Sequence, residues 1–205
     1  MRKLIRKLSD MRGISGFEYR LTDQIADMFK KYCDDVKIDS LGSVIAVKRS
    51  NKPNAPKLMI EAHCDEIGLI VTSITDEGYL TFANVGGVDE RTLPSTEVTV
   101  HGKEDLWGVI GIKPNYLLEQ GKTAKLKELA VDTGLSAEKV KELAAVGDSI
   151  TLAQSVGRLG KKQFSGKSLD DRASVAAIMR VMKNIKDLDI DIDVYAVAAV
   201  QEEVG

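Results

Sequence analysis

Apolar residues at Leu4, Leu8 and Met11 share one helical face near the start of the chain, and Gly13 and Gly16 in "MRGISGFE" interrupt that stripe. Leu21, Ile25, Met28, Phe29 and Tyr32 then recur at helical spacing and predict a second helix. Residues 36–38 and 44–47 read as strands around a turn at Gly42. The loop "NKPNAP" precedes "KLMIEA", a short continuous apolar run that predicts a strand in a buried sheet position.

From about residue 67 to 159 the texture changes. "LIVTSI", "YLTFANV", "TEVTVHG" and "WGVIGI" are short β-type runs separated by Asp-Glu-Gly, Gly-Gly and similar turns. This stretch predicts a small β-rich domain, with one polar helical segment over 122–130 and a second over 136–145 that opens at Ser136. After Gly160 the α/β texture returns: Val175, Ile178, Met179, Met182 and Ile185 line one helical face, and "VYAVAAV" reads as a buried strand. The acids of "DLDIDIDVY" before it read as a solvated strand entrance. The order implies an α/β fold in which a sheet-and-helix domain, residues 1–66 and 161–205, is interrupted by a β-barrel-like insertion, residues 67–160.

Composition narrows the function classes. A chain of 205 residues with 43% hydrophobic content can bury a core, and a formal net charge of −2 gives no nucleic-acid footprint and no polybasic membrane surface. No apolar run approaches the roughly 20 residues of a membrane span, and "MRKLIRKLSD" is an amphipathic stripe, so a soluble, cytoplasmic protein is expected. The two cysteines, Cys33 and Cys64, form no C-x-x-C pair; they suggest neither a disulfide framework nor a thiolate zinc site. Both are expected to be reduced, with Cys64 a packing residue.

Three places can carry chemistry. In "KLMIEAHCDE" a strand ends near His63, and residues two apart on an extended segment point the same way. Asp65 can therefore reach the second ring nitrogen of a metal-bound His63, although a hydrogen-bonded structural histidine accounts for the same pattern. In "GKSLDDRAS" Asp170 and Asp171 precede an amphipathic helix. They can satisfy its free amides, or one can face inward with its charge balanced by cations such as Arg172. In "AVAAVQEEVG" a buried strand delivers Gln201, Glu202 and Glu203 at its carboxyl end, where the acids either enter solvent or need a compensating cation. In an α/β fold these three ends converge at one sheet edge. Histidine, aspartate and glutamate together suit zinc, cobalt or manganese, so the combination favours a metal site. The remaining histidine, His101 in "VTVHGK", reads as structural or exposed.

The series "GISGFE", "AHCDEIG", "NVGG", "GVIGIKP", "VDTGLSAEKVKEL", "VGDSI", "KSLDDR" and "QEEVG" resembles, in order and spacing, the tetrahedral aminopeptidases. These dinuclear zinc metallopeptidases include glutamyl and deblocking aminopeptidases and members once labelled endoglucanases. The resemblance runs through essentially the whole chain and implies a zinc-peptidase α/β fold with two divalent ions, zinc or cobalt. It implies His63 and Glu203 as ligands of one metal, Asp170 as the bridge (Asp171 being the alternative), Asp65 as the residue orienting His63, and Glu202 as the general base. It further implies peptide substrates, dimer contacts through the insertion, and assembly of dimers into a tetrahedral dodecamer.

The family pattern also includes a further metal-binding aspartate one strand later and a last histidine near the end of a longer chain. Neither follows Gly205, so this chain is expected to be an N-terminal fragment that retains one metal and is inactive on its own. Strand "VYAVAAV" is then expected to lack neighbours. Two other readings stand beside the aminopeptidase: a noncatalytic oligomerisation module that binds at most one metal, and a glycoside hydrolase, which would use the carboxylates but gives His63 no role.

Overall fold

The apolar stripes form the helices they predict, and the residues left between them form the turns that carry the acids. In the computed structural model, which describes residues 1–112 and 125–205, helix α1 (Arg2–Asp10) buries Ile5 and Leu8, and α2 (Tyr19–Phe29) buries Leu21, Ile25, Ala26 and Phe29. Strands β1 (Asp35–Ile38), β2 (Val44–Lys48) and β3 (Lys57–His63) follow. Next come β4 (Gly68–Ile74), β5 (Leu80–Val85), β6 (Glu97–His101), β7 (Asp105–Ile112), β8 (Leu129–Asp132), α3 (Ala137–Leu143) and β9 (Ser149–Leu152). The chain ends with the hairpin β10 (Gly157–Leu159) and β11 (Gln163–Ser165), the long helix α4 (Leu169–Ile185) and β12 (Asp193–Ala199).

The described residues divide into two units, Met1–Glu66 with Ser155–Gly205, and Ile67–Gln154. The first is a four-stranded sheet in the order β1-β2-β12-β3, with β12 antiparallel to β2 and parallel to β3. Its register puts Val44, Ala46, Ala62, Ala196 and Ala198 on one face, where they form a single core with Leu8, Ile25, Phe29, Val175 and Met179 of the helices. Small residues at the centre let the helices sit close to the sheet. Burial along β12 accordingly alternates.

The structure departs from the sequence reading at four places. β12 has neighbours on both sides, whereas β3 forms a sheet edge among the described residues and exposes Leu58 and Met59, the latter 68% accessible. A continuous apolar run reads as two-sided burial, but here helices cover one face only. Of the helix expected over 122–130, residues 122–124 lie outside the described residues; the rest forms one 3-10 turn (Leu126–Glu128) and then β8. Lys113 and Pro114 of "GVIGIKP" also lie outside them. Finally, residues 155–160 belong to the first unit, not to the insertion. The Val156 N–H donates to Asp10 and Phe164 packs on the first core, which draws the β10-β11 hairpin to that unit.

The second unit is a closed barrel in the order β4-β5-β8-β7-β6-β9, with β9 pairing back to β4. Leu69, Val71, Leu80, Val98, Val100, Ile110, Val131 and Ile150 fill it, and α3 adds Val140 and Leu143. At Gly108 a Cβ would come within 2.6 Å of Val131, so only glycine lets β7 approach β8 this closely. His101 is partly buried, its side chain 11% accessible: its Nδ1 lies 2.9 Å from Asp105 and its Nε2 2.9 Å from Thr151, so it is structural rather than exposed. Both cysteines are free thiols, and Cys64 lies in the first core. No described helix is long and apolar enough to cross a membrane.

Candidate active site

His63 is the last residue of β3, and parallel pairing sets it beside Ala199, the last residue of β12. The carboxyl ends of two strands therefore reach the same side of one sheet. The acids of the third segment arrive from the start of α4. That helix becomes regular only at Arg172, because Asp170 and Asp171 carry non-helical backbone angles across a cis peptide.

The imidazole stands between two groups of acids. Nε2 lies 3.2 Å from Asp170 Oδ1 and 3.8 Å from Glu202 Oε2, while Nδ1 lies 3.4 Å from Asp65 Oδ1. Nδ1 and Asp65 Oδ1 are buried without a well-formed hydrogen bond. Asp65 is fully buried, and its other oxygen accepts from the Ser15 hydroxyl at 2.6 Å and the Glu203 N–H at 3.1 Å. One carboxylate thus touches both the histidine and the turn that holds the glutamates.

Asp170 and Asp171 do different things. Asp170 points into the open, with a side chain 91% accessible, and faces His63; Asp171 accepts from the Ser174 N–H and caps the regular part of α4. The inward carboxylate that the sequence paired with Arg172 is not Asp170. Arg172 is completely buried and its partner is Glu66, at 3.3 Å.

The glutamates sit on a 3-10 turn (Glu202–Val204) that follows Gln201, a residue in the left-handed region at φ 61°. The Gln201 N–H donates to Glu18 Oε1 at 3.0 Å, and Glu18 is buried. Glu18, Ser15 and Glu66 escaped the residue-by-residue reading. Their signal was faint: acids and a hydroxyl set among Ile14, Phe17 and Ile67, in loops where polar residues normally face water.

The charges are unbalanced. Burial opposes the imidazolium of His63, but the hydrogen bond to Asp170 and the charges of Asp65, Glu202 and Glu203 outweigh it and raise its pKa. Burial raises the Glu203 carboxyl; His63 opposes that, and Asp65, Glu202 and Asp170 add to it. Both shifts express an excess of negative charge around the imidazole, which a bound cation would relieve.

Among the described residues, no three His, Cys, Asp or Glu side chains form a group that encloses an ion. The donor types nonetheless fit a divalent cation. One imidazole nitrogen faces carboxylate oxygens, and the other is backed by a buried carboxylate, the arrangement that orients metal-binding histidines.

Residues 42–205 match the M42 glutamyl aminopeptidase family. The chain is 35% identical to a lysyl aminopeptidase of Pyrococcus furiosus over 99% of its own length and 60% of that protein's. Among solved structures it superposes on an aminopeptidase from the archaeon Desulfurococcus kamchatkensis with TM-score 0.92 and 38% identity, covering 99% of this chain and 56% of that one. It also superposes on the TET1 peptidase of Pyrococcus horikoshii, which can assemble into a tetrahedron or a large octahedral shell, with TM-score 0.88 and 36% identity, covering 100% and 62%. The chain spans about 60% of the length of such relatives.

Proposed function

The chain belongs to the M42 glutamyl aminopeptidase family, and from that premise we propose that it serves in metal-dependent removal of N-terminal residues from peptides. The observation that carries this reading is His63 itself, with Nε2 turned toward Asp170 and Glu202 and Nδ1 toward the buried Asp65. A glycoside hydrolase has no use for that histidine.

In this reading His63, Asp170 and Glu203 would hold divalent metal, zinc or cobalt, and Asp170 would serve as ligand to a second ion as well. Bound metal would polarise the scissile carbonyl and acidify the attacking water. Glu202 acts as the base: its side chain is 60% exposed and lies 3.8 Å from His63, so no close hydrogen bond ties it to the imidazole. Its carboxylate takes the proton of the attacking water and passes it to the nitrogen of the departing amine. Asp65 touches no substrate. It orients His63 through Oδ1 and steadies the Glu203 turn through Oδ2.

The assembly of TET1 supports self-association of this chain through its barrel, where Trp107 is 58% exposed. A second reading, a noncatalytic assembly module, draws on the lack of a closed ligand group among the described residues. Metal content and hydrolysis of aminoacyl chromogenic amides separate the two, measured on this chain and on one extended to the relatives' length, with light scattering for assembly. Glu202→Gln in the extended chain should keep its metal and lose about 100- to 10,000-fold in turnover. Absence of hydrolysis in the extended wild-type chain sinks the peptidase reading.

A further inference from the structure

One buried, multiply hydrogen-bonded side chain of the first unit is not used by the proposed chemistry. Arg172 is completely buried, and each of its three guanidinium nitrogens donates to a backbone carbonyl. Nε donates to the Cys64 carbonyl at 2.7 Å, Nη1 to the carbonyls of Leu8 and Met11, and Nη2 to the Gly13 carbonyl at 3.2 Å, with Glu66 Oε1 3.3 Å away. Behind it, Lys167 Nζ pairs with Glu66 at 2.6 Å and donates to the Met11 carbonyl at 2.9 Å.

The place of these contacts matters more than their number. Cys64 stands between His63 and Asp65, and Arg172 stands two residues after Asp170. The 2.7 Å bond from Arg172 to Cys64 therefore ties the backbone of the histidine segment to the backbone of the aspartate segment. The distance it governs is the 3.2 Å separation of His63 Nε2 and Asp170 Oδ1. Asp170 has no burial of its own to hold it, being 91% exposed, so its position comes from the chain that follows.

We propose that Arg172, backed by Glu66 and Lys167, is a positioning residue that sets the spacing between the His63 and Asp170 ligand segments. The proposal rests on the metal-site reading above. Only arginine meets the geometry, because a lysine ammonium has three donors and no planar fork.

The test compares the whole chain with Arg172→Lys and with Glu66→Gln, the second variant serving should the first fail to fold. Met182→Ala is the control, a buried core position farther along α4. Titration with cobalt(II) well below the melting temperature reads affinity and, through the visible absorption bands, ligand geometry. Arg172→Lys should weaken cobalt binding by about 10- to 100-fold and shift those bands, whereas Met182→Ala lowers the melting temperature and leaves both unchanged. Wild-type affinity and spectrum in Arg172→Lys overturn the positioning role while leaving the metal site intact. Should the wild-type chain take up no cobalt, the metal reading falls, and amide hydrogen exchange of the metal-free protein decides the positioning claim. Faster exchange confined to residues 63–66 and 168–172 supports it, and an even increase across the first unit overturns it.

Discussion

Replacing Asp65 by asparagine exchanges one carboxylate oxygen for an NH2 group and removes one charge at constant shape, and the surroundings dictate where the NH2 group goes. Oδ2 accepts from the Ser15 hydroxyl at 2.6 Å and from the Glu203 N–H at 3.1 Å. The hydroxyl can rotate, but the amide can only donate, so the asparagine oxygen must take that side. Its NH2 group is then left about 3.4 Å from His63 Nδ1. Nδ1 becomes an acceptor and the imidazole proton moves to Nε2, the nitrogen that faces Asp170. A protonated Nε2 offers no lone pair to a cation. Loss of such an orienting partner costs about 10- to 100-fold in metal affinity, or about 1.4–2.8 kcal/mol. Cobalt titration reads the affinity, and long-range proton–nitrogen NMR of the metal-free protein reads the tautomer. An Asp65→Asn chain that binds cobalt as tightly as wild type, or that keeps its proton on Nδ1, refutes the reasoning.

Asp170→Asn should weaken cobalt binding at least tenfold, whereas Asp171→Asn, at a helix cap, should cost at most about 1 kcal/mol in urea unfolding and spare the metal; equal effects on cobalt would make the two acids interchangeable. Burial raises the Glu18 carboxyl above its ordinary value, against the backbone N–H groups of Gly16, Glu18 and Gln201. Its protonated form therefore stabilises the fold fully below the unfolded pKa, and that contribution is lost as pH rises through the folded one. The stability of wild type relative to Glu18→Gln should accordingly fall as pH rises across the acid range, and a flat or rising difference contradicts it. Met59→Lys, on the exposed edge strand, should leave stability within about 0.5 kcal/mol and reduce aggregation through that edge while leaving association through the barrel unchanged, which light scattering reads.

Legibility followed the length and regularity of the pattern. Helices α2 and α4 carry four or more apolar residues at helical spacing, and barrel strands β6 and β7 alternate over five or more residues, so both could be read directly. β10 and β11 have three residues each, too few for a period to appear. β3 was misplaced because an apolar run says that a strand is shielded without saying by how much; Met59 shows that one side is not. His63, Asp170, Glu202 and Glu203 were legible as positions because strand ends and helix starts are legible. Their partners were not: an acid such as Glu66 looks solvated until tertiary contacts bring Lys167 and Arg172 to it.

That hidden set has a common logic. The two turns that present acids to His63 each begin with a non-glycine residue in the left-handed region, Ser168 at φ 56° and Gln201 at φ 61°. Each such residue costs about 1–2 kcal/mol, and each is held by a buried carboxylate. The Ser168 hydroxyl donates to Glu66, and the Gln201 N–H donates to Glu18. Such hydrogen bonds contribute about 0.5–1.5 kcal/mol each, of the same order as that cost. Both carboxylates are in turn tied to the segment between α1 and α2, Glu66 through the Gly13 N–H and Glu18 by belonging to it. The stretch "MRGISGFE", which places no metal ligand, is thus the frame on which the acid-bearing turns are hung. Its Ser15 completes the frame by holding Asp65, the residue that reaches both His63 and Glu203.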